Sequence, residues 1–285
     1  MSIDIHAAEQ FVHANARILE RHLLAVLLHD GRVSAALDAL RAYRNSDGGF
    51  GYALEPDVRD PFSQPAATLD ALRVLREVGA STDPMVKDAA SWVASVANPD
   101  GGVPFVLPTA AEYPRAPWMQ PSADGSWLTF AIAGELWSAA ATDEPWLERA
   151  TDWCWNRLEG DEELGSYWVK FALVFLDAVP DQRRAEAALR RLRTAIGPDG
   201  SIPVPGGRED ERITPTTLAE RPGERSRTLF TDEQFEADLD RLERGQQDDG
   251  GWNFDWLAWS PGQSVECRGL VTVQALSVLR AYGRI

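Results

Sequence analysis

The sequence has little with which to bind a metal, build a disulfide framework or cross a membrane. Its two cysteines, Cys154 and Cys267, are far apart in the chain and form neither a disulfide framework nor a metal-ligand spacing. The four histidines are His6, His13, His22 and His29. His6 and His13 share a helical face, as do His22 and His29, but metal pairs on a helix stand three or four residues apart. Packing or solvated roles are therefore expected for all four, and no metal site. No stretch reaches the ~18 apolar residues that a spanning helix needs. Met1 to Gln10 lacks the basic start and apolar run of a signal peptide, so the expectation is a soluble, cytoplasmic protein with no transmembrane segment. Positive charge is also scarce: 28 Lys and Arg against 44 Asp and Glu leave a net charge of −16, which disfavours nucleic acid or an anionic membrane as partner. Nor does any segment alternate apolar and polar residues with a period of two. The chain reads as all-α.

What the sequence does have is a repeated step. Asp-Gly-Gly followed by a bulky apolar residue occurs at Asp47–Phe50, Asp100–Val103 and Asp249–Trp252, with a weaker copy at Asp199–Ile202. Two downstream segments, 67–79 and 271–283, share 7 of 13 residues, among them Thr68/Thr272, Leu72/Leu276, Leu75/Leu279 and Gly79/Gly283. Self-similarity at this period indicates a repeated helical hairpin. Helical patterns run over about 5–29, 33–44, 64–78, 84–97, 124–141, 144–158, 166–178, 181–196, 231–244 and 265–283. Asp83-Pro84 and Thr231 supply N-terminal caps.

Helices before a Gly-Gly step carry one charged face, whereas those after it are nearly apolar all round, as in Leu128–Ala133 and Phe171–Leu176. The first kind belongs on a surface and the second inside. Alternation of the two gives a single α/α toroid spanning 1–285, built from about five to six hairpins. Residues 197–230 interrupt the pattern as an irregular, loop-rich insertion with Pro203, Pro205, Pro215 and Pro222. There the inner helix is either short, around Thr216 to Glu220, or replaced by a loop.

The string Leu242-x3-Gln246-x3-Gly250-x-Trp252 resembles the core of the glutamine–tryptophan repeat of squalene–hopene cyclases and related terpene cyclases. Leu40-x3-Arg44-x3-Gly48-x-Phe50 keeps the frame without the glutamine. Protein prenyltransferase β subunits share the toroid that this resemblance implies. The chain departs from these families in two respects. It has no Asp-x-Asp-Asp motif, with which the cyclases protonate an alkene, and it lacks the Asp, Cys and His set that holds zinc in the prenyltransferases. No cofactor is expected, and Mg²⁺ enters only if the substrate is a diphosphate.

In such a toroid the loops launched by the Gly-Gly turns gather at one mouth, where free helix amides suit an anionic group. The first loop holds Glu55, Asp57, Arg59 and Asp60 between Pro56 and Pro61. Clustered carboxylates beside an apolar cavity suit a general acid, and Arg59 suits a substrate contact. The competing reading is a turn in which Glu55 or Asp57 caps a helix and Arg59 pairs with Asp60. The last loop carries Asp255, Trp256 and Trp259, then Glu266 and Arg268 at a helix start, close to Asp57 and Asp60 if the ring closes. Glu266 is a further candidate acid, and Asp255 and Arg268 are candidate substrate contacts. Trp118, on the long second loop 103–123, joins Trp256 and Trp259 as candidate stabilisers of a cationic intermediate through their ring faces. Trp252 is expected to plug its own turn. Three functions remain open: acid and cation chemistry on a small apolar or isoprenoid substrate (a cyclase-like isomerase or lyase), a carbohydrate-active enzyme such as a glycosidase or polysaccharide lyase, and a toroid that binds a ligand or partner without catalysis.

Overall fold

The computed structural model describes residues 3–141 and 143–285. In chain order these form α1 (Ile5–Asn15), α2 (Ile18–His29), α3 (Val33–Arg41), α4 (Pro65–Glu77), α5 (Pro84–Val96), α6 (Leu128–Ser138), α7 (Pro145–Glu159), α8 (Ser166–Ala178) and α9 (Gln182–Leu192). An antiparallel pair of two-residue strands follows, β1 (Ile202–Pro203) and β2 (Arg212–Ile213), and then α10 (Pro215–Leu218), α11 (Asp232–Arg244) and α12 (Pro261–Ala281). The fold is all-α, with that strand pair inside the 197–230 stretch. The chain divides into two compact units: a terminal unit of Met1–Ala36, Leu164–Lys170 and Leu189–Ile285, and a central unit of Leu37–Glu163 and Phe171–Ala188.

Local chemistry sets most helix starts. Proline at the first position has the right φ and no amide to orphan, and it opens α4, α5, α7 and α12. The Asp83 carboxylate accepts from Met85 N, and Ser260 Oγ accepts from Gln263 N. Thr231 and Gln234 form a reciprocal capping box at α11.

The Asp-Gly-Gly steps share one geometry. In each, the aspartate Oδ1 accepts from the amide two residues on: Gly49, Gly102, Ser201 and Gly251, at 3.0, 3.0, 3.0 and 3.1 Å. The first glycine takes a left-handed φ of 94°, 97°, 83° or 89° at Gly48, Gly101, Gly200 and Gly250, a region that L side chains enter only under strain. Three of the turns are then fixed by a buried threonine on a later helix. Phe50 N donates to Thr68 Oγ1, Val103 N to Thr129 Oγ1 and Trp252 N to Thr272 Oγ1. In the fourth, Ile202 pairs with Ile213 instead, since the helix that follows, α10, has only four residues. Three of these glycines also abut a further helix of their own unit through its backbone: Gly48 the Asp88 carbonyl of α5, Gly101 the Arg149 carbonyl of α7 and Gly250 the Ala7 carbonyl of α1.

In the terminal unit, Gln246 reaches back to the start of α1. Its Nε2 donates to Asp4 O and Gly250 O, and its Oε1 accepts from Asp4 N. Trp252 plugs its turn as expected, with Nε1 on Leu242 O at 2.7 Å. In the central unit, α6 is buried from Leu128 through Leu136 and carries one acid, Glu135, at 3% exposure. Glu135 Oε2 accepts from Arg76 Nε of α4 at 2.8 Å, and Oε1 is buried with no hydrogen-bond partner among the described residues.

Several boundaries differ from the sequence pattern. The helix expected over 5–29 breaks at Ala16, which is extended, because Gly269 of α12 packs directly on that residue. Arg17 and Arg21 then rebuild the corner, Arg17 on Glu20 and Arg21 Nε on Ala16 O. Helix α6 starts at Leu128 because Ser126 is held by Val103, donating Oγ to Val103 O. Helix α12 begins earlier than the pattern, at the Ser260 cap. Within 197–230 the short-helix alternative is the one observed, as α10.

Candidate functional site

The loop that follows the first turn is assembled by backbone and then by side chains. Tyr52 and Ala53 both have left-handed φ, 54° and 60°, so the chain doubles back and Tyr52 N donates to Asp60 O. Left-handed backbone at residues other than glycine stores strain and collects at functional sites. The loop is joined to the second one. Val58 and Arg115 form an antiparallel bridge, Arg59 N donates to Pro114 O, and Ala116 N donates to Asp57 O. Both loops belong to the central unit.

This pairing brings Asp57 and Trp118 together: the indole Nε1 donates to Asp57 Oδ2 at 3.2 Å. Glu55 Oε1 accepts from Asp57 N at 3.0 Å, so Glu55 braces the backbone of its neighbour, part of the turn role weighed for it from sequence. Asp57 and Glu55 are half-buried, and Trp118 is 38% exposed. On the same loop Tyr52 and Phe62 are 52% and 54% exposed, and Phe62 meets Tyr113 of the second loop edge-on at 6.2 Å. Half-buried acids and exposed aromatic rings therefore share one loop pair. Asp60 is different. It is 1% exposed, and its carboxylate accepts from Phe62 N, Gln64 Nε2 and Thr109 Oγ1. Arg59 is half-buried, with its backbone amide on the second loop.

In the terminal unit, Arg268 forks onto Asp249 through two 2.7 Å bonds, donates Nε to Trp252 O, and lies over the Phe11 ring at 4.5 Å. The guanidinium is thereby fastened to the Asp249 turn, and its hydrogen bonds hold the Asp249 carboxyl below the ordinary carboxylate range. Glu266 is half-buried one turn into α12. Trp256 is half-buried against Phe254, centroids 4.8 Å apart, and Trp259 is half-buried as well. Asp255 is exposed and accepts from Arg212 N at 3.4 Å.

Three groupings escaped the sequence reading. Gln64 and Thr109 are single polar residues of common types and carry no sequence signal. Glu135 does carry one, an acid in the middle of an otherwise apolar helix. Glu211 accepts from Tyr167 Oη at 2.8 Å and from Arg208 N. Among the described residues no group of His, Cys, Asp and Glu is placed to hold a metal ion, and no helix is long and apolar enough to cross a membrane.

No family model and no curated protein matches this chain. Solved structures do. A protein from Actinoplanes is similar with a TM-score of 0.59 at 20% identity, covering 95% of this chain and 89% of that one. Type II terpene cyclase MstE from Scytonema, in complex with its substrate geranylgeranyl dihydroxybenzoate, is similar with a TM-score of 0.51 at 15% identity, covering 96% and 87%. Another form of MstE, in complex with the product merosterolic acid A, gives 0.51 at 16% identity, covering 98% and 86%. At these identities what is shared is the fold, and by fold this chain is terpene-cyclase-like.

Proposed function

We propose that this chain is a terpene-cyclase-like enzyme acting on a prenylated, largely apolar substrate by proton-initiated chemistry, with Asp57 as the acid. The observation that carries the reading is the Asp57–Trp118 pair. A half-buried carboxyl group lies against an indole whose face can stabilise positive charge, on loops that also expose Tyr52 and Phe62. Glu55 holds the Asp57 backbone, and Arg59 joins the two loops. In the reaction the Asp57 O–H bond breaks and its proton forms a C–H bond with one alkene carbon. The π pair becomes that bond, positive charge appears on the adjacent carbon, and a later C–H loss returns the proton.

Type II terpene cyclases of this fold that act on a prenylated aromatic acid support the substrate class. The test is incubation of the purified protein with geranylgeranyl-bearing aromatic acids in D2O, followed by mass spectrometry. An isomeric product carrying one added deuterium is expected. A carbohydrate-active enzyme is the second reading, since neighbouring carboxylates beside an exposed tryptophan, as Glu55, Asp57 and Trp118 supply, suit that chemistry as well. Shortened oligosaccharides, with every prenylated acid unchanged, would establish that reading and remove the first.

Asparagine at position 57 keeps an oxygen that can accept from Trp118 but has no proton to transfer. Asp57→Asn is therefore expected to lower kcat/KM by about 10²-fold or more, the usual range for a lost general acid. Its melting temperature should stay within a few degrees of wild type. Full activity in Asp57→Asn would remove Asp57 from the reaction.

A further inference from the structure

The geometry points to Asp60, Gln64 and Thr109 as a latch of positioning residues that holds the second loop in place and keeps Trp118 on Asp57. The three side chains close a ring. Gln64 Nε2 donates to Asp60 Oδ2 at 2.6 Å and to Thr109 Oγ1 at 2.8 Å, and Thr109 Oγ1 donates to the same Asp60 oxygen at 2.7 Å. Phe62 N fills Asp60 Oδ1 at 2.9 Å, and Gln64 Oε1 accepts from Leu107 N at 2.9 Å. Both Gln64 protons, the threonine proton and both carboxylate oxygens are thus used, and Asp60 and Gln64 are each 1% exposed. A closed network of this kind is rigid, and it is costly to leave half made.

Every neighbour of the Asp60 carboxylate donates to it. Asp60 therefore has no acceptor to which it could direct a proton of its own without dismantling the ring, which makes it an anchor for the loops. The latch joins three pieces of chain: the loop after the first turn through Asp60, the start of α4 through Gln64, and the 3-10 turn Pro108–Glu112 through Thr109. From that turn the second loop runs on through Tyr113 and Arg115 to Trp118, held along its edge by the bridge of Val58 and Arg115. Thr109 thus fixes the near end of the segment that places the indole.

This assignment rests on the proposed function only in making Asp57 the group that is served, and its tests use no substrate. Failure of the latch is therefore separable from failure of the enzymatic reading. Thr109→Val keeps the shape and removes the hydroxyl. In protein labelled with 5-fluorotryptophan, with resonances assigned by Trp118→Phe and Trp252→Phe, Thr109→Val is expected to shift the Trp118 signal and leave that of Trp252 in place. Tryptic cleavage after Arg115 should rise roughly tenfold as the loop opens locally. Thr109→Ser, which restores the hydroxyl, should return both readouts to wild type. An unmoved Trp118 signal, an equal shift of Trp252 or no rescue by serine would overturn the assignment. Should Thr109→Val not fold, amide exchange of the wild-type protein decides instead. Phe62 and Leu107 amides are expected to exchange at least ~100-fold more slowly than free chain, and exchange at the free-chain rate would remove the latch.

Discussion

Gly250→Ala is expected to destabilise the chain by about 4 kcal/mol, a large share of typical stabilities of ~5–15 kcal/mol. Two effects add. The backbone there has φ 89°, which costs an L residue about 1–2 kcal/mol. A Cβ would also collide with the Ala7 carbonyl of α1, a backbone group that cannot swing aside as a side-chain tip could. The same contact closes the terminal unit, since Gln246 binds Asp4 beside it, so relief by local movement would break that joint too. Gly79→Ala is the control. Its φ is 71° but nothing lies within 4 Å of the added carbon, so only the conformational term of about 1 kcal/mol applies. Urea unfolding measures both. Equal losses in the two variants would mean that the collision contributes nothing.

The second large effect is expected at the pair Arg76–Glu135. Arg76→Met removes the guanidinium that pairs with a carboxylate almost wholly buried in α6, and breaking such a pair from one side costs about 3–5 kcal/mol. Most of that cost is the stranded charge, so removing the charge as well should recover it. The double variant Arg76→Met with Glu135→Met is expected to regain at least half of the loss, because a thioether pair fills the space without desolvating ions. Chemical denaturation of the two single variants and the double supplies the cycle. If the losses simply add, the two side chains are not coupled.

Much of the helical layout was legible because local signals and apolar period agree. Helices read over 64–78, 84–97 and 166–178 appear as Pro65–Glu77, Pro84–Val96 and Ser166–Ala178. Where the reading failed, a distant contact had overruled local preference. Nothing in Asn15-Ala16-Arg17 breaks a helix by itself, and the corner exists because Gly269, far along the chain, packs on Ala16. The start of α12 was legible in Ser260-Pro261 but was passed over for the apolar run that follows. For the candidate site, composition singled out the first loop, since acids between prolines are conspicuous. It did not separate the acids from one another. Asp60 is sealed off by Thr109, 49 residues away, while Asp57 meets Trp118 across 61 residues, and no local pattern encodes either pairing.

The threonine that fixes each turn has a consequence for how such a chain can change. It ties both ends of the intervening segment to one point: 18 residues separate Phe50 from Thr68, 26 separate Val103 from Thr129, and 20 separate Trp252 from Thr272. The closure is the same at three lengths, and lengthening a closed segment raises its entropic penalty only slowly. Each segment is therefore a cassette whose joint tolerates a change of length, although the first two are also fastened to each other through Val58, Arg115 and the ring of Asp60, Gln64 and Thr109. Chemistry can be rewritten in one cassette while the others keep the scaffold intact.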